Sequence, residues 1–403
     1  MTNVAILGFG VVGGGVARLI TDNKNETALL GGDEINIKYI LDLRDFPDSE
    51  FADRIIHDFS VIISDPAVDT VIEVMGGSHP AYEYTVSALK AGKNVISSNK
   101  EVVANFGDEF LALAKEMGVA YRFEAAVGGG IPALSPIISC VKQNKISEIR
   151  GILNGTTNYI LTKMFSYGDT FENALSDAQS KGYAERNPDA DILGTDACRK
   201  IAILAALITG KLVPTDDIPT EGIVSIRPED VCASEKIGCK IKLLGRCIIG
   251  EGGEISVSVA PTLIPCDKLL ASVSGVYNAI EVVGDPIGEV LFYGPGAGAG
   301  STASAVVGDL MQIMCSGAKT AAPVFKKSNI NSDFAQKLTA QNYIAAKGIC
   351  HKTAETVFGK IMTIEAEGET AFLTPALTDV QVEAGLRKLV DGGAQILSKI
   401  RLM

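Results

Sequence analysis

The sequence predicts an α/β fold: a Rossmann-type doubly wound parallel sheet at the N-terminal end, an α+β second domain, and a small C-terminal βαββαβ domain. Three observations predict it. A G-x-G-x-x-G loop made by Gly8, Gly10 and Gly13 directly follows the first apolar run and opens a helical pattern. Short apolar runs then alternate with helical patterns to about residue 130, as βαβ units require. Beyond that point the helices lengthen, and short alternation returns only over residues 340–403.

In the first domain, residues 1–130, the expected strands are Val4–Leu7, Ile35–Leu41, Thr70–Val74, Asn94–Ser97 and Val119–Phe123. Amphipathic patterns at Val11–Asn23, Ala81–Ala91 and Asp108–Met117 supply helices between them, and Gly118 closes the last as a C-cap. The second domain, 131–300, carries helical patterns at Thr170–Lys181 and Asp191–Thr209 and a strand at Glu254–Val259. The glycine-rich stretch Gly294–Gly300 leads into an apolar helix, Ser304–Met314, expected to return to the first domain and complete it over about 301–330. In 340–403 the order is strand Asn342–Ile349, helix Lys352–Lys360, strands Met362–Glu367 and Thr370–Thr374, helix Asp379–Leu389 and strand Ile396–Leu402. That βαββαβ order is ferredoxin-like.

Composition excludes several classes of function. With 36 Lys and Arg against 48 Asp and Glu, the net charge of −12 argues against sequence-independent nucleic-acid binding, which needs clustered cations. The apolar run Ile201–Ile208 ends at Thr209, Gly210 and Lys211, well short of the ~20 residues that span a bilayer. Val4–Leu7 is too short for a secretory signal and runs into the glycine loop. Cys140, Cys198, Cys232, Cys239, Cys247, Cys266, Cys315 and Cys350 are scattered without C-x-x-C or histidine spacing. They read as buried, reduced thiols of a cytoplasmic protein rather than metal ligands or disulfides.

The glycine loop has a physical logic. Gly8 permits the tight turn, Gly10 lets a pyrophosphate approach the backbone, and Gly13 allows close helix–strand packing. The free N–H groups and positive end of the following helix then face phosphate oxygens. Asp42 and Arg44 lie near the end of the second strand, expected on one strand face. An acidic residue there binds the ribose 2′-hydroxyl of NAD, and an Arg pairs with the 2′-phosphate of NADP. Arg44 lies nearer the expected strand end, which favours NADP, with NAD also accepted.

Ligands of open α/β sheets lie beyond the carboxyl ends of the strands. Glu73–Ser78 and Ser97–Lys100 both follow such ends, so Lys100 is aimed at the crevice or is a surface charge. A second cluster runs from Lys181 through Tyr183, Glu185 and Asp191 to Asp196 and Lys200. Asp196 and Lys200 are four apart and share a helix face. An exposed pair of this kind contributes only ~0.3–0.5 kcal/mol. The apolar Ile201–Ile208 run buries the helix, however, so its charged start must meet a cleft or partners.

At these residues the chain resembles homoserine dehydrogenases, through Gly151-Ile-Leu-Asn-Gly-Thr-Thr-Asn-Tyr-Ile160, Lys181-Gly-Tyr-Ala-Glu185 and Gly194-Thr-Asp196 to Lys200. The resemblance covers residues 1 to about 330 and continues through Ser97-Ser-Asn-Lys100, Glu124 to Pro132 and Gly294-Pro-Gly-Ala-Gly298. It implies NAD(P)-dependent hydride transfer between L-homoserine and L-aspartate 4-semialdehyde, in threonine, methionine and isoleucine biosynthesis. Lys200 would be the acid–base lysine, and Lys100 would assist beside the reacting group and cofactor. Glu185 and Asp196 would hold the substrate ammonium and orient the lysine, with Asp191 and Tyr183 contributing to substrate binding. Gly8, Gly10, Val11, Val12, Gly13, Arg44, Gly76, Ser98, Lys100, Gly182 and Gly298 would line the cofactor. Glu124 and the backbone carbonyls of Val127, Gly129 and Ile131 match the family's monovalent-cation site, all-oxygen ligation suited to Na⁺.

The resemblance also implies a homodimer or higher homo-oligomer built on the substrate domain, 131–300. Many relatives carry an ACT-type regulatory domain at the C-terminus, and 340–403 looks like a short one. The usual Asp-x-x-Gly turn is replaced there by Cys350-His-Lys-Thr353, which counts against threonine feedback. Two rival readings remain. Aspartate-semialdehyde dehydrogenase chemistry needs a cysteine nucleophile with a histidine base, and of His57, His79 and His351 only the last adjoins a cysteine. A non-catalytic nucleotide sensor would not need Lys100, Glu185, Asp196 and Lys200 together.

Overall fold

The computed structural model describes residues 1–316 and 323–403. They form two compact units: Met1–Lys145 with Ala202–Thr215 and Phe292–Asn329, and Ile146–Ile201 with Asp216–Leu291 and Ile330–Met403.

In the first unit β1 (Thr2–Leu7), β2 (Ile35–Leu41), β3 (Ile55–Ile56), β4 (Thr70–Glu73), β5 (Asn94–Ser97) and β6 (Tyr121–Arg122) make a sheet in the order β3-β2-β1-β4-β5-β6. Each neighbouring pair is parallel. The order reverses between β1 and β4, the switch point where such sheets bind ligands. Val4, Ala5, Ile6 and Leu7 are all fully buried, the continuous apolar run of a strand covered on both faces. The helix Ala299–Ser316 packs on Val11–Asp22 in one core, Val16, Ala17 and Ile20 meeting Ala303, Val306, Leu310 and Ile313. A Cβ on Gly15 would stand 3.0 Å from the Ala299 carbonyl oxygen, so glycine sets that spacing.

Two helices start earlier than periodicity predicts. The expected Asp108–Met117 helix runs from Lys100, because the Asn99 side chain caps it by accepting from Glu101 N and Val102 N. Its interior Gly107 packs against the Phe325 ring. The expected Ser304–Met314 helix likewise begins at Ala299, within the glycine-rich stretch.

The helical pattern Asp191–Thr209 is two helices, Asp189–Ile192 and Thr195–Thr209. Gly194 separates them at φ +86°, and a Cβ on Gly222 would lie 2.1 Å from the Ile192 carbonyl oxygen. The chain can turn there only through glycine. The strands β7 (Lys145–Ile152), β8 (Cys239–Ile249), β9 (Ile255–Pro265), β10 (Tyr277–Asp285), β11 (Gly288–Pro295), β12 (Asn342–Lys347), β13 (Met362–Ile364), β14 (Thr370–Leu373) and β15 (Gln395–Leu402) form one sheet. Its order is β11-β10-β7-β8-β9-β15-β12-β14-β13. The C-terminal residues do follow the βαββαβ order, with helices His351–Phe358 and Asp379–Asp391. Their strands do not stand apart, because β15 pairs in parallel with β9 at Thr262–Arg401 and Leu263–Leu402.

No helix among the described residues is long and apolar enough to cross a membrane. Of the eight cysteines, only Cys198, Cys239 and Cys247 are buried. Cys140, Cys232, Cys266, Cys315 and Cys350 are exposed, correcting the expectation of uniformly buried thiols.

Candidate active site

β1 ends at Leu7, and Gly8 turns the chain at φ +96°. A Cβ on Gly13 would lie 2.0 Å from the Gly8 carbonyl oxygen, whereas one on Gly10 would meet nothing within 4 Å. Gly13 thus closes the loop, and Gly10 leaves an open cradle before the helix Val11–Asp22. Gly10 caps that helix without a side chain, with Val11 exposed and Val12 half-buried beside it. Uncapped N–H groups at a helix N-terminus bind phosphate, so these residues fit a dinucleotide.

β2 ends at Leu41, so Asp42 and Arg44 stand on the following loop rather than on a strand face. Phe9 N donates to Asp42 Oδ2 at 2.8 Å, tying that loop to the glycine turn. Arg44 grips the same carboxylate, Nε to Oδ1 at 3.0 Å and the terminal nitrogen to Oδ2 at 3.1 Å. The guanidinium beside it holds the Asp42 carboxyl well below the usual range. Arg44 is exposed and also lies over the Phe46 ring, 5.0 Å from its centroid.

At the ends of β4 and β5, Glu73 is fully buried and Asn99 nearly so. Ser97 Oγ donates to Glu73 Oε2 at 2.6 Å, and Met75 N donates to Glu73 Oε1 at 2.9 Å. Ser98 N donates to the Glu73 carbonyl at 3.1 Å, and Asn99 Nδ2 to the Gly77 carbonyl at 2.7 Å. Gly76 is exposed, with nothing within 4 Å of a would-be Cβ. Lys100 occupies the first position of its helix. An ammonium there opposes the helix dipole by about 0.3–1 kcal/mol.

In the second unit, Lys200 is 8% exposed; its Nζ donates to Asp196 Oδ2 at 2.7 Å and to the Leu153 carbonyl at 2.8 Å. The i,i+4 pair expected from the spacing is therefore formed, and it is buried. Asn154 Nδ2 donates to Asp196 Oδ2 at 2.9 Å and to Asp191 Oδ1 at 2.7 Å. Its Oδ1 accepts from Thr157 N at 2.8 Å, capping the helix Gly155–Tyr167 and fixing which way the amide points. Burial pushes the Asp191 carboxyl up, with the Asn154 hydrogen bond opposing it. The Gly194 turn makes this possible by placing Asp191 and Asp196 on separate helices that meet one amide.

Thr156 Oγ1 donates to the Tyr183 carbonyl at 2.6 Å, and the Tyr183 ring meets Tyr159 edge-on at 5.0 Å. Gly182 takes φ +73° at the end of the helix Phe171–Ser180. Glu185 is exposed; its carbonyl accepts from Gln179 Nε2 at 3.1 Å, and its side chain is not joined to the buried network. Gly298, in the first unit, takes φ +125° just before the helix Ala299–Ser316.

Glu124 is buried, with Oε1 accepting from Leu134 N at 2.7 Å and Oε2 from Ser135 N at 2.8 Å. Val127, Gly129 and Ile131 are buried too, and Gly129 at φ +55° packs so closely that a Cβ would lie 2.5 Å from the Gly296 carbonyl oxygen. Among the described residues no hydrogen bond reaches the carbonyl oxygens of these three. One carboxylate with buried, unbonded carbonyls fits a hard cation. A cavity of about 640 Å³ lined by Arg122, Glu124, Ser135, Asp309 and Gln312 lies beside Glu124.

Sequence reasoning assigned no role to Asn154 or Glu73. Asn154 lies inside the quoted Asn-Gly-Thr-Thr-Asn motif, and an Asn before a helix is a recognisable N-cap signal. Its second task, bridging two carboxylates, depends on the Gly194 turn and had no sequence signal.

Residues 8–124 match the family model described as the NAD binding domain of homoserine dehydrogenase, and residues 132–311 match the one described as homoserine dehydrogenase. The homoserine dehydrogenase of Synechocystis sp. is 42% identical over 316 residues, 77% of this chain and 73% of that protein. The one from Bacillus subtilis is 42% identical over 318 residues, 77% of this chain and 72% of its own. Among solved structures, a homoserine dehydrogenase from Thiobacillus denitrificans superposes with TM-score 0.90 at 32% identity, covering 100% of this chain and 98% of that one. A hyperthermophilic archaeal homoserine dehydrogenase mutant in complex with NADPH gives TM-score 0.66 at 28% identity, covering 77% and 97%.

Proposed function

Because this chain belongs to the homoserine dehydrogenase family, we propose how its own residues divide the work of that reaction. The chain is an NAD(P)-dependent oxidoreductase that interconverts L-homoserine and L-aspartate 4-semialdehyde, a step of threonine, methionine and isoleucine biosynthesis. The bound nicotinamide supplies the hydride to the aldehyde carbon, or takes it back from the alcohol.

In our reading Lys200 Nζ gives a proton to the carbonyl oxygen as that oxygen gains the C=O electron pair, and removes it in the reverse direction. The observation that carries this is the buried chain Lys200–Asp196–Asn154–Asp191. An ammonium held at 2.7 Å by a carboxylate in a buried position strongly stabilises an adjacent developing oxyanion. Lys100 adds a second positive charge. Asp191, Asp196, Glu185 and Tyr183 receive the substrate, the carboxylates holding its ammonium. The test is Lys200→Ala. Turnover should fall at least a hundredfold while the dinucleotide still binds, since a positioned acid is worth about 10²–10⁴. Near-normal turnover would refute the assignment.

Gly8, Gly10, Val11, Val12, Gly13, Gly76, Ser98, Gly182 and Gly298 are assigned to the dinucleotide, and Arg44 to the 2′-phosphate of NADP. Arg44 supports this because its guanidinium is exposed beside the glycine loop, on a carboxylate it can leave. Glu124 with the carbonyls of Val127, Gly129 and Ile131 is assigned a structural Na⁺. Residues 1–130 with 301–330 serve the dinucleotide, 131–300 the substrate and a homodimer contact, and 340–403 form a short ACT-like module, in a cytoplasmic enzyme. The matched ranges 8–124 and 132–311 support that division, and the βαββαβ order supports its last part.

A further inference from the structure

We propose that Glu73 is a positioning residue for the reaction, its buried carboxyl fastening the loop after β4 to the start of the helix that carries Lys100. The inference rests on the assignment of Lys100 and of Gly76 and Ser98 to the dinucleotide end of the site.

The hydrogen bonds form a closed ring. Glu73 accepts from Met75 N at 2.9 Å on one oxygen and from Ser97 Oγ at 2.6 Å on the other. Ser97 Oγ in turn accepts from Asn99 N at 3.0 Å. Asn99 Nδ2 then donates to the Gly77 carbonyl at 2.7 Å, returning to the loop that Met75 begins. The other end of the same Asn99 amide accepts from Glu101 N at 3.2 Å, capping the helix at Lys100. The two segments expected to meet the dinucleotide, 75–77 and 98–100, are thus held in register through one side chain. Only a carboxylate serves here, because both of its oxygens must accept. A glutamine offers one acceptor and would turn an N–H towards Met75 N or Ser97 Oγ. Stability alone disfavours a fully buried carboxyl, which costs desolvation that an apolar residue would not.

Burial pushes the Glu73 carboxyl up to about 7, against the lowering effect of Ser97, Met75 and Asn99. The titratable group facing it is Tyr121 on β6, which burial, and then the charge on Glu73, keep as a neutral phenol. The ionised carboxylate accepts from every donor around it, whereas the acid form must turn one oxygen into a donor. With the pKa raised, the acid form fills as pH falls through about 7. The ring therefore tightens as pH rises through that value and loosens below it.

The experiment compares the full-length wild type with Glu73→Gln and Ser97→Ala, each checked by thermal melting. Binding of NADPH and of NADH, without substrate, is titrated by fluorescence from about pH 6 to 8.5, alongside homoserine kinetics. NADH lacks the 2′-phosphate, so a titration of that group cannot mimic the effect. Glu73→Gln should weaken both dinucleotides on the order of tenfold at high pH and erase the step in wild-type affinity near neutrality. Ser97→Ala should change affinity in the same direction by less, and KM for homoserine should move little in either. Carbon NMR of labelled glutamate in the free wild-type enzyme should show a carboxyl titrating near pH 7. Wild-type affinity and pH profile in Glu73→Gln, or lowered melting temperature alone in both variants, would overturn the proposal. If Glu73→Gln does not fold, Ser97→Ala and the NMR titration decide it. Normal dinucleotide binding with no turnover of homoserine would instead count against the assigned reaction.

Discussion

Replacing Asn154 with Asp keeps the outline of the side chain and removes both of its donors. The wild-type amide nitrogen lies 2.7 Å from Asp191 Oδ1 and 2.9 Å from Asp196 Oδ2. In Asn154→Asp a third carboxylate faces the other two across those distances, and one of the three must take up a proton. That proton restores one of the two bridges. The other is lost, and a hydrogen bond to a charged group is worth about 1.5–3 kcal/mol, so kcat/KM for homoserine should fall about tenfold to a hundredfold. The shared proton gives the loss a pH signature. Its carboxyl pKa is raised, so the bridge is present below that pKa and disappears as pH rises through it. The variant should therefore be closest to wild type at the acid end and worst at the alkaline end. Thermal stability should fall as well, by the worth of the lost bridge, although Asp caps a helix as well as Asn and Thr157 N keeps its acceptor. Initial rates of homoserine oxidation across pH, with melting temperatures, test both halves. A loss equal at every pH would show that the bridge to the two carboxylates plays no part.

Glu185→Gln should raise the apparent KM for homoserine with little change in kcat, because a ground-state contact to an ammonium is weakened while the Lys200 network is untouched. A pure loss of kcat would contradict that role. Arg44→Ala should weaken NADP binding about tenfold to a hundredfold, the worth of one charge-assisted pair. NAD binding should hold or improve, because the Asp42 carboxylate that Arg44 now occupies becomes available to a ribose hydroxyl. Titrating both dinucleotides decides it, and equal weakening of the two would mean that Arg44 only supports the loop.

Local order was readable in the sequence wherever one residue type is the only solution to a local demand. Gly8 at φ +96° and Gly13 pressed on Gly8 are fixed by backbone geometry, so the motif alone located them. The helix starts at Lys100 and Ala299 were missed because the Asn99 cap and the glycine-rich stretch lie outside the periodic patterns at Asp108–Met117 and Ser304–Met314. The Asp191–Thr209 break was missed for the opposite reason. Its periodicity continues through Gly194, and the close approach of Gly222 to Ile192 comes from residues distant in sequence. The spacing of Asp196 and Lys200 gave their contact correctly, because a helix carries its own geometry. Asn154 and Glu73 act across turns and strands, and no local pattern encodes such a partner.

The join between the C-terminal residues and the rest of the second unit shows the same limit at larger scale. Read along the chain, residues 340–403 satisfy a complete βαββαβ pattern with a core of their own around Ile344, Phe358, Phe372 and Leu386. That is sufficient reason to expect a separate domain, yet β15 pairs with β9 on one side as well as with β12 on the other. The reason lies in Asp230, 1% exposed, which accepts from Ser398 Oγ at 2.7 Å and from the Tyr343 hydroxyl at 3.1 Å. Arg227 spans the join, donating to Asp230 at 2.6 Å and to Glu369 at 2.8 Å. A buried carboxylate needs these donors, and its own helix, Pro228–Lys236, does not supply the two from Ser398 and Tyr343. The C-terminal strands therefore complete the solvation of a charge that belongs to the rest of the second unit. A pattern confined to residues 340–403 describes their shape but not the carboxylate they are there to satisfy.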